Sequence, residues 1–228
     1  MGSEMCIRDR YSDDEDVVIP KIYWEYTTKK VLTIERFHGI KINSYMELRN
    51  SKMDLKKIAR TGMKALIKAA FGHGFFHGDM HAGNVIILPD EKYGVFDFGI
   101  VGNLDKEMRK KIVSLLFSIY SNDFRTAGTI LRDLLSGEHV SLEKFLVDAE
   151  RVGKKYLTTS LKGKKWMKFL AESLDSANKY HLQLPFSLVL IFKQLLYLDG
   201  LGRMIDPDYD LLADGQAFTG HFLKYMSG

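Results

Sequence analysis

The chain has 228 residues, enough for one large domain, and its 46% hydrophobic and 27% charged content is that of an ordinary globular protein, not a fibrous or disordered one. A net charge of +4 allows an anionic partner without demanding one, and a single cysteine, Cys6, excludes an internal disulfide framework and fits a reducing compartment. No stretch reaches the about 18 uninterrupted apolar residues of a spanning helix, since Leu184 to Met204 is broken by Lys193 and carries Gln194, Asp199 and Arg203.

Residues 1–10 fit no regular element and read as a cloning or truncation scar, with no secretory leader. With the acidic stretch up to Asp16 they form a disordered lead-in, residues 1–16. From Val17 to Ile34, β-branched and aromatic residues gather around Pro20 and a Thr27-Thr28-Lys29-Lys30 turn, which predicts a hairpin. Lys41 to Asn50 reads as a loop and short helix. Lys56 to Phe71 is a helix by its apolar spacing, ended by Gly72-His73-Gly74.

Next come His77 to Asn84, His-Gly-Asp-Met-His-Ala-Gly-Asn, and then Asp97-Phe98-Gly99. Asp79 stands five residues before Asn84, and Asp97 thirteen after it. Phosphoryl transfer from a magnesium nucleotide needs that set: a carboxylate to orient the attacking hydroxyl, and hard oxygens for the metal. Val85-Ile86-Ile87-Leu88 and Gly94-Val95-Phe96 read as strands joined by Pro89-Asp90-Glu91-Lys92. If Pro89 and Lys92 close the turn as partners, Asn84 falls opposite Asp97, with side chains starting ~5 Å apart. That inference depends on register, because a one-residue slip sends the two to opposite faces.

Beyond Gly102 the pattern is helical. Met108, Ile112, Leu115, Leu116 and Ile119 make one stripe, with Asn103 or Asp105 as N-cap. Phe124, Ala127, Ile130, Leu131 and Leu134 make another. Leu142, Phe145, Leu146, Ala149 and Val152 make a third, started by Ser141. Two more helices follow, around Trp166 to Tyr180 and Pro185 to Arg203.

His-x-Asp-x-His-x-Gly-Asn with Asp-Phe-Gly resembles the catalytic and metal loops of the UbiB/AarF/ADCK atypical kinases, within the protein-kinase-like fold. Val31 to Ile40 is similar to that family's hinge strand. Leu184-Pro185 through Asp199-Gly200, and Ile205 to Tyr209, are similar to its closing helix and Asp-Pro turn. The resemblance implies an α+β fold: residues 17–37 as a remnant of a truncated β-rich small lobe with the hinge, and residues 38–228 as a mainly α-helical large lobe with a small metal-site hairpin. It implies ATP and Mg²⁺ as cofactors, Asp79 as base, and Asn84 and Asp97 as metal ligands. Ile34 would line the adenine pocket, and the Glu35 carbonyl and Phe37 amide would face the adenine edge. His81 stands where ordinary kinases carry a phosphate-facing lysine, and Gly83 marks close backbone approach to the nucleotide. It further implies support of ubiquinone biosynthesis, membrane lipid or quinone-biosynthesis proteins as partners, and a cytoplasmic location peripheral to the inner membrane.

No Ala-Pro-Glu follows Gly99, an absence that agrees with the atypical family and differs from ordinary protein kinases. Two departures stand out: Ala82 replaces the family's usual proline, and no Lys-x-Gly-Gln segment, glycine-rich loop or strand lysine precedes the hinge. These 228 residues alone are therefore expected to transfer phosphate poorly. A zinc reading of His77 and His81 needs a helix, which Gly78 and Gly83 argue against. The lysines at 154, 155, 162, 164, 165 and 168, interleaved with Tyr156, Trp166 and Phe169, read as a solvated helix face or as attraction to an anionic membrane; no nucleic-acid motif accompanies them. A catalytically weak nucleotide-binding scaffold, a small-molecule phosphotransferase of the aminoglycoside or choline type, and a non-catalytic helical module stay open.

Overall fold

The computed structural model describes residues 11, 14–135, 142–157 and 165–205. The lead-in at residues 1–10, the Ser141 helix start, Lys162, Lys164 and the turn at 206–209 lie outside the described residues.

Among the described residues, six short strands and seven α-helices build the fold. A four-stranded sheet has the order β1-β5-β4-β2, from Val17–Val18, Tyr93–Val95, Val85–Ile87 and Ile40–Lys41. A second sheet pairs β3 (Phe75–His77) with β6 (Val101–Asn103). Helix α1 spans Tyr45–Asn50, the short helix expected there. Helix α2, Leu55–Ile67, begins where Asp54 accepts the Lys57 amide at 3.0 Å, and it buries Ile58, Met63, Leu66 and Ile67. One π-helical turn, Lys68–His73, extends it, and Gly74 closes it at a φ of 68°. Only glycine adopts that left-handed geometry cheaply.

The predicted hairpin over Val17 to Ile34 is corrected in extent. Val17 and Val18 pair in parallel with Tyr93 and Gly94, and the hairpin runs only from Lys21 to Glu35, with a 3₁₀ turn at Trp24–Tyr26. Its Ile22–Ile34 bridge is flanked by the Tyr23 amide donating to the Thr33 carbonyl at 2.9 Å and the Glu35 amide donating to the Lys21 carbonyl at 2.8 Å. Long-range charge decides this. Lys64 on α2 and Lys68 at the start of the π-helical turn hold Asp16 and Asp14 at 2.6 and 2.7 Å, and the Asp16 carbonyl accepts the Tyr93 amide at 2.9 Å.

Register in the β4–β5 hairpin is corrected too. Val85 pairs with Val95, Ile86 with Gly94 and Ile87 with Tyr93, so Asn84 falls opposite Phe96, not Asp97. The loop holds three residues because Leu88 and Lys92 close it, with Glu91 at a φ of 65°. That conformation costs a non-glycine residue about 1–2 kcal/mol. Helix α2 offsets it: the Glu91 carboxylate accepts the Asp54 amide at 2.8 Å and the Lys57 ammonium at 2.6 Å.

The core lies between α2, the sheets and α7. Tyr93 is buried and donates its hydroxyl to the Ile58 carbonyl at 2.7 Å, tying β5 to α2. Phe76 is fully buried opposite Gly102, where an added Cβ would sit 2.2 Å from the ring. Helices α3 (Lys106–Tyr120) and α4 (Phe124–Leu134) are capped by Asp105 and Asp123, which accept the Met108 and Thr126 amides. Helices α5 (Leu142–Leu157) and α6 (Lys165–Lys179) continue the antiparallel stack, and α7 (Phe186–Ile205) returns to pack on α2 and β6. No helix among the described residues is long and apolar enough to cross a membrane.

Candidate active site

The loop between β3 and β4 folds around the backbone of Asp79. Its carbonyl accepts the His81 amide at 2.8 Å and the Asn84 side-chain amide at 3.1 Å, and its own amide donates to His77 Nδ1 at 3.0 Å. Because His77 Nδ1 accepts, Nε2 carries the ring proton and donates to the Phe96 carbonyl at 3.3 Å. The ring also lies 4.8 Å from that of Phe98. Burial pushes the His77 pKa below its ordinary value, so the neutral ring is a structural brace joining the Asp79 loop to the Asp97-Phe98-Gly99 segment. This is a strand-and-loop arrangement, with no helix to set His77 and His81 on one zinc-binding face.

His81 is exposed and turns back on its own loop. Its Nδ1 accepts the Gly83 amide at 2.9 Å, and its Nε2 lies 3.7 Å from Asp79 Oδ2. Gly83 lets the ring fold there, since an added Cβ would sit 2.7 Å from His81 Cε1. Asp79, His81, Gly83 and Asn84 thus form one hydrogen-bonded unit.

Asn84 is buried, and spending its amide nitrogen on Asp79 leaves Oδ1 as the end that a cation would use. Across the hairpin the Phe96 amide donates to the Asn84 carbonyl at 3.2 Å. Asp97 follows at a φ of 61°, where strand alternation no longer governs side-chain direction, and its Oδ1 accepts the Gly99 amide at 3.3 Å. An amide oxygen and a carboxylate are hard donors suited to Mg²⁺, which takes one or two protein carboxylates and completes its shell with phosphate and water. Among the described residues no cluster of three His, Cys, Asp or Glu side chains could hold a metal.

The hinge residues stand on a separate segment. Ile34 is at the isolated bridge, and Glu35 is engaged twice with Lys21: its amide donates to the Lys21 carbonyl at 2.8 Å, and its carboxylate accepts the Lys21 amide at 3.1 Å. The Phe37 ring reaches the β4–β5 hairpin, lying over Gly94 where an added Cβ would be 2.7 Å from Cδ2.

A profile of the ABC1 atypical kinase-like domain matches residues 3–131, more than half of the chain. The chain belongs to that family. Within the ABC1 family its likeness runs to UbiB proteins, and a UbiB helical domain profile matches residues 149–210. A probable protein kinase UbiB from Cellvibrio japonicus (strain Ueda107) is 30% identical over 98% of this chain and 41% of its own length. Protein Rv0647c of Mycobacterium tuberculosis (strain ATCC 25618 / H37Rv) is 30% identical over 93% of this chain and 44% of its own. The chain therefore spans less than half the length of these curated relatives. Among solved structures, the Rv3197–erythromycin complex from Mycobacterium tuberculosis superposes with a TM-score of 0.55 at 16% identity, covering 88% of this chain and 51% of that one. At that identity the likeness speaks for the fold alone, which is kinase-like and α+β.

One residue that the motif does not contain also reaches the site. Lys193 on α7 donates its ammonium to Asp79 Oδ1, and that hydrogen bond holds the Asp79 carboxyl below the usual carboxylate range. The sequence carried a signal for it: a lysine inside the apolar run Leu184 to Leu198. In the basic stretch, Lys154 pairs with Glu150 at 2.6 Å and Lys155 with Glu172 at 2.7 Å.

Proposed function

We propose that this chain carries the phosphoryl-transfer centre of an ATP- and Mg²⁺-dependent atypical kinase or ATPase. The observation that carries the reading is Asp79: an ionised carboxylate at the head of a loop whose His81 and Asn84 are both bonded to the Asp79 backbone. Asp79 orients the attacking hydroxyl or water and accepts its proton as the new O–P bond forms. The bond to the nucleoside diphosphate breaks with its electron pair leaving on the bridging oxygen. Asn84 and Asp97 would hold Mg²⁺, which supplies neutralisation of phosphate charge. Ile34, Glu35 and Phe37 would contact the base. By likeness to UbiB proteins the protein would support ubiquinone biosynthesis beside a membrane.

The test is Mg-ATP turnover by the longest natural chain that contains these residues, wild type against Asp79→Asn. The substitution is expected to cost about 10²–10⁴-fold in kcat, the usual range for a positioned base. Equal turnover by the two proteins would refute the reading. A second reading, a nucleotide-binding scaffold with little turnover, is favoured by Lys193 occupying Asp79 Oδ1; it predicts Mg-ATP binding without phosphate release.

A further inference from the structure

We propose that Lys193 completes the phosphoryl-transfer centre, docking on Asp79 at rest and donating to the transferred phosphoryl group once a nucleoside triphosphate is bound. The inference rests on the phosphoryl-transfer reading above. It begins with how α7 is delivered. The helix is apolar over most of its length, and its later charges, Asp199 and Arg203, satisfy each other at 2.8 and 3.0 Å. Lys193 is instead directed across the fold to a loop 114 residues earlier in the chain.

Three residues on one face of α7 lie along the site. Ser187 donates its hydroxyl to the Asn103 carbonyl at 2.7 Å, beside β6. Leu190 covers Gly78, where an added Cβ would fall 2.8 Å from Leu190 Cδ1. Lys193, one turn further on, meets Asp79, the residue after Gly78. The lysine therefore arrives on a seated helix, its Cα placed by packing, and its contact is not that of a wandering surface chain.

Stability alone is a weak reason for such a pair. The Lys193 side chain is 52% exposed and that of Asp79 26%, and ion pairs this open contribute little, about 0–1 kcal/mol. The chemistry gives a stronger one. Residues 77–84 contain no lysine or arginine, yet charge builds on phosphoryl oxygens next to Asp79 during transfer. An ammonium has three donors, and one to Asp79 leaves two for an anion. His81 Nε2 lies 3.7 Å from the second Asp79 oxygen, and the Lys193 side chain is half-exposed, so an anion arriving from solvent can reach its ammonium.

The experiment combines turnover with amine labelling in the longest natural chain that carries these residues. Lys193→Met is expected to lower kcat about 10²-fold, the scale of losing one preorganised charge donor, with KM for ATP changed less than about threefold. Lys193→Arg should recover all but about tenfold, which a merely structural role would not predict. Acylation of Lys193, read by mass spectrometry, should rise in Asp79→Asn and fall when β,γ-methylene ATP and Mg²⁺ are added, while Lys179 stays unchanged. Wild-type turnover by Lys193→Met, or Lys193 labelling indifferent to the nucleotide, overturns the proposal. Protection of Lys193 without turnover in the wild type would sink the enzyme reading and leave the lysine as an anion ligand. Turnover without protection would sink the lysine alone.

Discussion

The loop-and-hairpin half of the molecule and the α4–α6 half are held together by different means. Around the site, side chains bind backbone carbonyls, within the Asp79 loop from Asn84 and across the fold from Tyr93 to Ile58, Arg109 to Phe71 at 2.9 Å and Ser187 to Asn103. In the helical half the polar ties between helices mostly join side chain to side chain on open surfaces, Tyr180 to the Lys144 carbonyl excepted. Lys179 meets Asp148 at 2.7 Å, Arg151 and Lys155 meet Glu172 at 2.6 and 2.7 Å, and Arg125 meets Glu143 at 3.0 Å. Surface pairs are screened by salt and weak, whereas partly buried bonds to backbone groups are costly to leave unmade. The helices are therefore stacked by their apolar stripes, with charge as trim, while the site is fixed atom by atom.

Truncating a core aromatic in each half tests that contrast most strongly. Phe76→Ala should cost about 3–5 kcal/mol and lower the Tm of the whole domain. Phe145→Ala, on the smaller cluster with Leu135, Leu146 and Leu182, should instead raise hydrogen exchange in α4–α6 and leave β3–β6 protected. Uniform exchange in both variants would erase the distinction. Gly102→Ala is the next largest, about 1–3 kcal/mol in denaturant melts, because its methyl would collide with the buried Phe76 ring. Asp123→Ala removes the α4 cap and should cost about 1 kcal/mol, read in the same melts.

Acid separates the halves with the smallest effects. His77 has a folded pKa below 6.5, so its contribution is complete above pH 6.5 and declines as pH falls from there toward the folded value, where the unfolded chain takes the proton first. Glu172, lowered from 4.5 to about 2 by Lys155, Arg151 and Tyr156, contributes fully above pH 4.5 and is lost as pH falls to about 2. Exchange followed against pH should rise first in the Asp79 loop and later between α5 and α6. Glu172→Gln should remove only the later phase, and loss of both phases would contradict the assignment.

Periodicity made the helices legible. Asp105 and Asp123 precede apolar stripes, and α3 and α4 begin after them, because capping is a local matter of one side chain and one amide. The kinase-like family was legible in eight residues plus Asp97-Phe98-Gly99. Hairpin register was not, since the extra loop residue depends on Glu91 reaching Asp54 and Lys57 on a helix over thirty positions earlier. Val17 was misassigned for the same reason, its partner β5 lying far along the chain. Lys193 stood out as an interruption in an apolar run, but its meaning depended on which way α7 faced.

The strand order β1-β5-β4-β2 leaves neither arm of the β4–β5 hairpin at a sheet edge. Shifting Asn84 past Phe96 would mean unzipping β4 from Ile40 and Lys41 on one flank and β5 from Val17 and Val18 on the other. Slippage is thereby coupled to dismantling the whole sheet, so Asn84 stays opposite Phe96, with Asp97 one residue beyond, for as long as the domain stays folded.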